Sequence, residues 1–124
     1  MAVRRVLSIG QCNADHAALA AAIRRHFGAE VVPAATANEA FALLDGGGFA
    51  LVLVNRVLDT DGSSGLDLVR AIASRPAAPP VMLVTNYSEY QEAALAAGAV
   101  PGFGKAALHD PATVDRLRPY LGTP

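Results

Sequence analysis

The chain is short of several things, and each shortage closes off a class of function. Only one cysteine, Cys12, occurs among 124 residues. No internal disulfide can form, which fits a reducing compartment. Charged residues make up 17% and hydrophobic residues 52%. Disorder needs the reverse balance, so a packed core is expected. The ten Lys and Arg are scattered, some in short pairs such as Arg4-Arg5 and Arg24-Arg25, against eleven acids, for a formal net charge of -1. No basic stripe is present, so nucleic acid is not expected as a partner. No apolar run approaches the ~20 residues of a membrane span. The apolar run in MAVRRVLSIG breaks at Gly10 and Gln11, too early for a signal-peptide core. Repeats and low-complexity tails are also missing. The reading is a soluble, cytoplasmic protein, with residues 1–124 forming a single domain.

What is present is an alternation of short apolar runs with helical patterns. Val6 to Ile9 reads as a first strand. Leu19, Ile23 and Phe27 then recur at spacing four, on one face of a helix from Ala14 to Phe27. Gly28 stands where a left-handed cap belongs. Glu30 to Val32 reads as a second strand. Thr36 with Glu39 forms a capping box that opens a helix through Leu44. The continuous apolar run Phe49 to Val54 predicts a strand buried on both faces. A polar loop from Asn55 to Ser64 follows, then a helix marked by Leu66, Val69 and Ile72. Val81 to Val84 predicts another buried strand. Ser88 with Gln91 repeats the capping box before a helix ending at Gly98. Val100 to Phe103, interrupted by Pro101 and Gly102, predicts a fifth strand. Asp110 and Pro111 open a last helix, which Pro119 should kink or end early.

Five strand-helix units predict a five-stranded parallel sheet, doubly wound, with helices on both faces. In such sheets the functional crevice lies at the carboxyl ends of the strands. That rule gathers Gly10, Gln11 and Cys12, then Asn55 and Arg56, Thr85 and Asn86, and Lys105.

Three segments carry a resemblance. VLSIG is similar to the first strand of the receiver domain of two-component response regulators. FALVLVNRVL, with Gly65-Leu66 ten residues after Asn55, resembles that family's third strand and loop. VMLVTN and GAVPGFGK resemble its fourth strand with a hydroxyl residue and its fifth with a lysine. The Gly98-Ala99 to Lys105 spacing is the most specific piece. The resemblance covers essentially the whole chain. It implies a flavodoxin-like receiver fold and a role in phosphorelay signal transduction in the bacterial cytoplasm.

The departures from the pattern bear on mechanism. The resemblance implies two acids after the first strand and one after the third, which hold Mg²⁺ and accept a phosphoryl group. Here the acid-pair positions read Gly10 and Gln11, and the phosphoacceptor position reads Asn55. An amide is neutral and is no useful nucleophile towards phosphorus. Mg²⁺ binding is therefore expected to be lost, with no other cofactor and no catalytic residue implied. Thr85 and Lys105 are retained, and Lys105 is expected to face Asn55 and donate to its side-chain oxygen. The loop RVLDTDGSSG lacks the family's usual Met-Pro and is longer. The family's switch aromatic falls on Gly102, with Phe103 next to it on the opposite sheet face.

Other residues admit plainer readings. Asp59, Asp61 and Asp67 resemble a calcium loop only faintly, because the full ligand spacing is absent; a solvated turn is favoured. The longer loop leaves open whether Asp59 or Asp61 replaces a lost pocket acid. Cys12 and His16 share a helical face, but a lone cysteine is ordinarily a small buried hydrophobe. His16, His26 and His109 lack metal-ligand spacing. Gly46-Gly47-Gly48 precedes a strand, so it is a turn and not a phosphate loop.

The expected function is a phosphorylation-independent, receiver-like module, not an enzyme. It would bind protein partners: a histidine kinase, another regulator, or itself as a homodimer. Ser88 to Leu121 is the expected surface, with Tyr87, Tyr90, His109 and Arg116 exposed. No output domain is expected after Pro124, so output is expected to come from a partner or from the protein alone. Two alternatives stay open: a Mg²⁺-dependent phosphoreceiver with unusual ligands, and a flavodoxin-like enzyme or small-ligand binder using Cys12, Asn55 and Lys105.

Overall fold

Residues that alternate along a strand must find an apolar layer on each side when all of them are hydrophobic. The computed structural model, which describes residues 3–122, meets that demand with a parallel sheet between two helical layers. Strands β1 (Arg5–Ile9), β2 (Glu30–Ala34), β3 (Phe49–Asn55) and β4 (Val81–Val84) lie in the order β2-β1-β3-β4. Val6, Leu51, Leu53, Met82 and Val84 enter one core with α1 (Asn13–Phe27) and α5 (Pro111–Leu121). Leu7, Ile9, Val52, Val54, Val81 and Leu83 enter the other, with α2 (Ala37–Asp45), α3 (Gly65–Ala73) and α4 (Ser88–Ala96).

Helix ends follow local chemistry. Thr36 Oγ1 accepts from the Glu39 N–H at 3.3 Å, and Glu39 Oε2 accepts from the Ala35 N–H at 2.8 Å. Ser64 Oγ caps α3 through the Asp67 N–H. Gly28, at φ 67°, closes α1 by donating to the Arg24 carbonyl. Strand β2 is the sheet edge. The Glu30 N–H points inward to the Arg4 carbonyl, so Pro33, an odd number of residues on, has its missing donor on the open side.

The expected fifth strand is not one. It reduces to a single parallel bridge between Val84 and Phe103, so the sheet has four strands. Pro101 has no N–H to give to a ladder. Gly102 passes so close over β4 that a Cβ there would lie 2.3 Å from the Leu83 carbonyl oxygen. Gln91 of α4 supplies the missing pairing. Its Oε1 accepts from the Gly102 N–H at 3.2 Å, and its Nε2 lies 2.9 Å from the Leu83 carbonyl oxygen, 3.3 Å from that of Thr85 and 3.4 Å from that of Phe103. Arg116 Nη1 donates to the Gly102 carbonyl. Gln91 is therefore not the capping-box partner of Ser88. Tyr87 stands at the α4 N-cap with no side-chain cap bond.

Pro119 does not end α5 early either. The helix runs on to Leu121, because Leu117 and Leu121 are buried and Arg4 Nη1 satisfies the Tyr120 carbonyl at 2.8 Å. Asp110 occupies the N-cap of α5, but its side chain makes no cap bond.

Replacing Gln91 by Ala should leave the Gly102 N–H and neighbouring carbonyls without partners. A loss of about 1–3 kcal/mol is expected in urea unfolding, with faster amide exchange at Gly102 and along α4. A loss below about 0.5 kcal/mol would mean that water replaces the side chain.

Candidate functional site

The strand ends meet at a cleft of about 150 Å³ bordered by Asn55, Arg56, Thr85, Asn86, Tyr87 and Lys105. A hollow of about 460 Å³ between α1 and β2, at the opposite end of the sheet, brings together no such set. The crevice rule therefore places Asn55, Thr85 and Lys105 around one space, as expected.

Asn55 is the last residue of β3 and half-buried. Its Nδ2 donates to the Gly10 carbonyl at 3.0 Å and to the Val57 carbonyl at 2.8 Å. Two acceptors facing one group require a donor there, so the amide nitrogen takes the place where a carboxylate would meet only oxygen. The Gly10 carbonyl also accepts from the Asp59 N–H at 2.9 Å. The loop after β3 is thus folded back over the end of β1.

Gly10 permits this fold. Its φ is 77°, and a Cβ built on it would lie 2.5 Å from Leu58 Cγ. Leu58 is fully buried and fills the space that a side chain at position 10 would need. Gly65 is equally constrained: its Cβ would sit 1.8 Å from the Asn55 carbonyl oxygen. Gln11 is half-buried, and neither its Nε2 nor its Oε1 has a partner.

Lys105 does not face Asn55 as a partner. Its Nζ donates to Asp15 Oδ2 at 2.6 Å. Asp15 lies in the first turn of α1, where the positive helix end also favours a carboxylate. The Lys105 hydrogen bond holds the Asp15 carboxyl below the usual carboxylate range. Partial burial opposes this, and a hydrogen bond with Cys12 and the Lys105 charge assist it. The acid that pairs with Lys105 thus comes from α1. Asp59 and Asp61 are exposed on the loop. Asp61 accepts from the Ser63 hydroxyl and N–H, and both bonds lower its pKa. Asp67 pairs with Arg70 at 3.5 Å. Among the described residues, no three His, Cys, Asp or Glu side chains gather as a metal cage.

The remaining positions complete the rim. Thr85 is buried, and its Oγ1 accepts from the Tyr87 N–H at 3.3 Å. Asn86 Oδ1 accepts from the Ala106 N–H at 3.0 Å. The guanidinium of Arg56 lies 4.8 Å from the Tyr90 ring centroid and 5.5 Å from that of Tyr87. Tyr87 and His109 are exposed, whereas Tyr90 is half-buried beneath Arg56. Arg116 is exposed but bound to Gly102. Phe103 is buried in the α1–α5 core, and the space beside Gly102 belongs to Gln91. Cys12 is the N-cap of α1, its Sγ accepting from the Asp15 N–H at 3.5 Å. With His16 it shares only the helical backbone bond. Sequence reasoning missed Asp15, Leu58 and the pairing role of Gln91. The one available signal was an acid three residues after a cap position, at the start of the first helix.

No protein-family model matches the chain, and no curated protein matches it in sequence. Solved structures do. A response regulator from Thermotoga maritima superposes with a TM-score of 0.78 at 22% identity, covering 98% of this chain and all of that one. The BeF3-activated N-terminal receiver domain of Klebsiella pneumoniae RstA gives 0.79 at 21% identity, covering 95% and 98%. NtrX from Brucella abortus gives 0.72 at 22%; there the chain matches 94% of its own length but 25% of the other's. At these identities the likeness establishes the receiver fold, α/β and flavodoxin-like.

Two outcomes follow from the site. Gly10→Ala and Gly10→Asp should each cost about 2–4 kcal/mol in unfolding, because the conflict begins at Cβ and at the left-handed backbone; a neutral Gly10→Ala would refute the packing against Leu58. The Lys105–Asp15 side chains are 34% and 39% exposed, so their pair contributes no more than ~1 kcal/mol. Since the folded carboxyl titrates lower than the unfolded one, that contribution is complete above the unfolded pKa and is lost as pH falls through the folded value. In Lys105→Met, the NMR titration midpoint of the Asp15 carboxyl should rise; an unchanged midpoint would mean the pair does not form in solution.

Proposed function

We propose that the chain is a receiver-fold signalling module of the two-component type that works without phosphorylation and acts by binding proteins. The observation that carries this reading is the Asn55 amide, tethered to the Gly10 and Val57 carbonyls. Phosphorylation of a receiver needs a carboxylate nucleophile and a magnesium ion held by oxygens. Position 55 offers nitrogen, position 10 has no side chain, Gln11 is uncharged, and the nearby Asp15 carboxylate is engaged by Lys105. These residues do not fit magnesium, and no step through a metal belongs to the proposal.

The interaction surface in this reading runs over α4, the segment through Phe103 and α5, with Tyr87 and His109 exposed beside it. The partner is a histidine kinase, another regulator or a second copy. A cysteine-based enzyme finds less support, because Cys12 Sγ serves as a helix cap.

The test is incubation with Mg²⁺ and acetyl phosphate, read by intact mass. Neither the wild type nor Asn55→Asp should gain a phosphoryl group. In the variant, the new carboxylate would face two carbonyl oxygens while positions 10 and 11 still supply no charge. Robust labelling of either protein would overturn the proposal.

A further inference from the structure

The hollow between α1 and β2, at the far end of the sheet from Asn55, has a volume of about 460 Å³. That lies within the size range of small-molecule sites. Small residues keep it unfilled: Ala20, Gly28 and Ala29 line it, and a Cβ on Gly28 would meet nothing within 4 Å. Its floor is apolar. Ala29 is buried and Val31 half-buried, while Val3 is 59% exposed, the most exposed large apolar side chain among the described residues. Such a surface gains free energy when it is covered. Two charges of opposite sign stand beside that floor. Arg24 lies in the last turn of α1 and Glu30 opens β2, and both are exposed. Neither forms an ion pair, with the other or elsewhere, among the described residues. Arginines outside α1 are all held, by a carbonyl, an aromatic ring or an acid. The C-terminal end of α1, just before Glu30, adds partial negative charge on that side.

We propose that this hollow binds a free α-amino acid with an aliphatic side chain. Its carboxylate meets the planar fork of Arg24, its ammonium lies towards Glu30, and its side chain covers Val3 and Val31. A carboxylate alone would leave Glu30 unmatched, and an amine alone would leave Arg24 unmatched; a zwitterion satisfies both. An extended peptide pairing along β2 is disfavoured, because Pro33 has no outward N–H to offer. The site does not depend on Asn55 or on the phosphorylation-independent reading. Within that reading, it gives the domain an input other than phosphate.

The test is a ¹⁵N NMR titration of the full chain with leucine at constant ionic strength. Isocaproate, which lacks the ammonium, and isoamylamine, which lacks the carboxylate, are titrated in parallel. Leucine should give saturable shifts at Arg24, Gly28, Glu30 and Val31, and each fragment should bind about tenfold more weakly. Arg24→Gln and Glu30→Gln should each weaken leucine binding about tenfold. Ala20→Leu, which fills the hollow with a good helix former, should abolish it, with the spectrum outside the hollow confirming the fold. Arg25→Gln, a neighbouring charge that does not line the hollow, should leave it unchanged. Four results would overturn the proposal: shifts that stay linear with leucine, a fragment that binds as tightly as leucine, full binding by Arg24→Gln, or equal weakening by Arg25→Gln. Phosphoryl labelling by acetyl phosphate would overturn the phosphorylation-independent reading and leave this result untouched, so the two failures are separable.

Discussion

The carbonyl of Gly10 receives two donors, the Asn55 side-chain amide and the Asp59 backbone N–H. Much of the upper end of the molecule depends on that junction. It ties the β3 loop to the end of β1, brings Leu58 down against the glycine and aligns Asn55 at the base of the cleft. It also needs a residue without Cβ and with a left-handed backbone at position 10. Gly10 and Asn55 therefore belong to one linked structural arrangement. A carboxylate at either site opposes the same packing, by steric conflict in one case and by oxygen facing oxygen in the other.

A similar substitution of side chain for backbone occurs at the far side of the sheet. Where a fifth strand would run beside β4, the Gln91 amide reaches from α4 and satisfies groups on both segments. Helix α4 buries little of itself, Ala94 being its buried residue. Its position relies on this amide and on Tyr90 beneath Arg56. In a receiver fold with an aromatic residue at position 102, that side chain would need the space Gln91 fills.

The regular part of the architecture was legible from residue pattern. Val81–Val84 and the end of α1 at Phe27 appear where apolar runs and Gly28 put them, because these signals are local and periodic. The crevice at Asn55, Thr85 and Lys105 was legible from strand order alone. What escaped were contacts between residues distant in sequence. Lys105 meets Asp15 across ninety positions, and nothing in either segment announces the pairing. Gln91 carried a capping-box pattern that was outcompeted by unpaired strand-end groups. Pro119 obeyed tertiary burial over local propensity, since Leu121 and Arg4 hold the last turn together.

The β2 edge has a wider meaning for how the molecule behaves in a crowd. Pro33 removes an outward donor, and the Ala35 N–H just beyond the strand is occupied by Glu39. At the other margin, Gln91 and Arg116 cover the backbone of Gly102. Both margins of the sheet are blunted, so strand-by-strand growth into filaments finds little template. Contacts between copies of this chain through its sheet margins are thereby disfavoured.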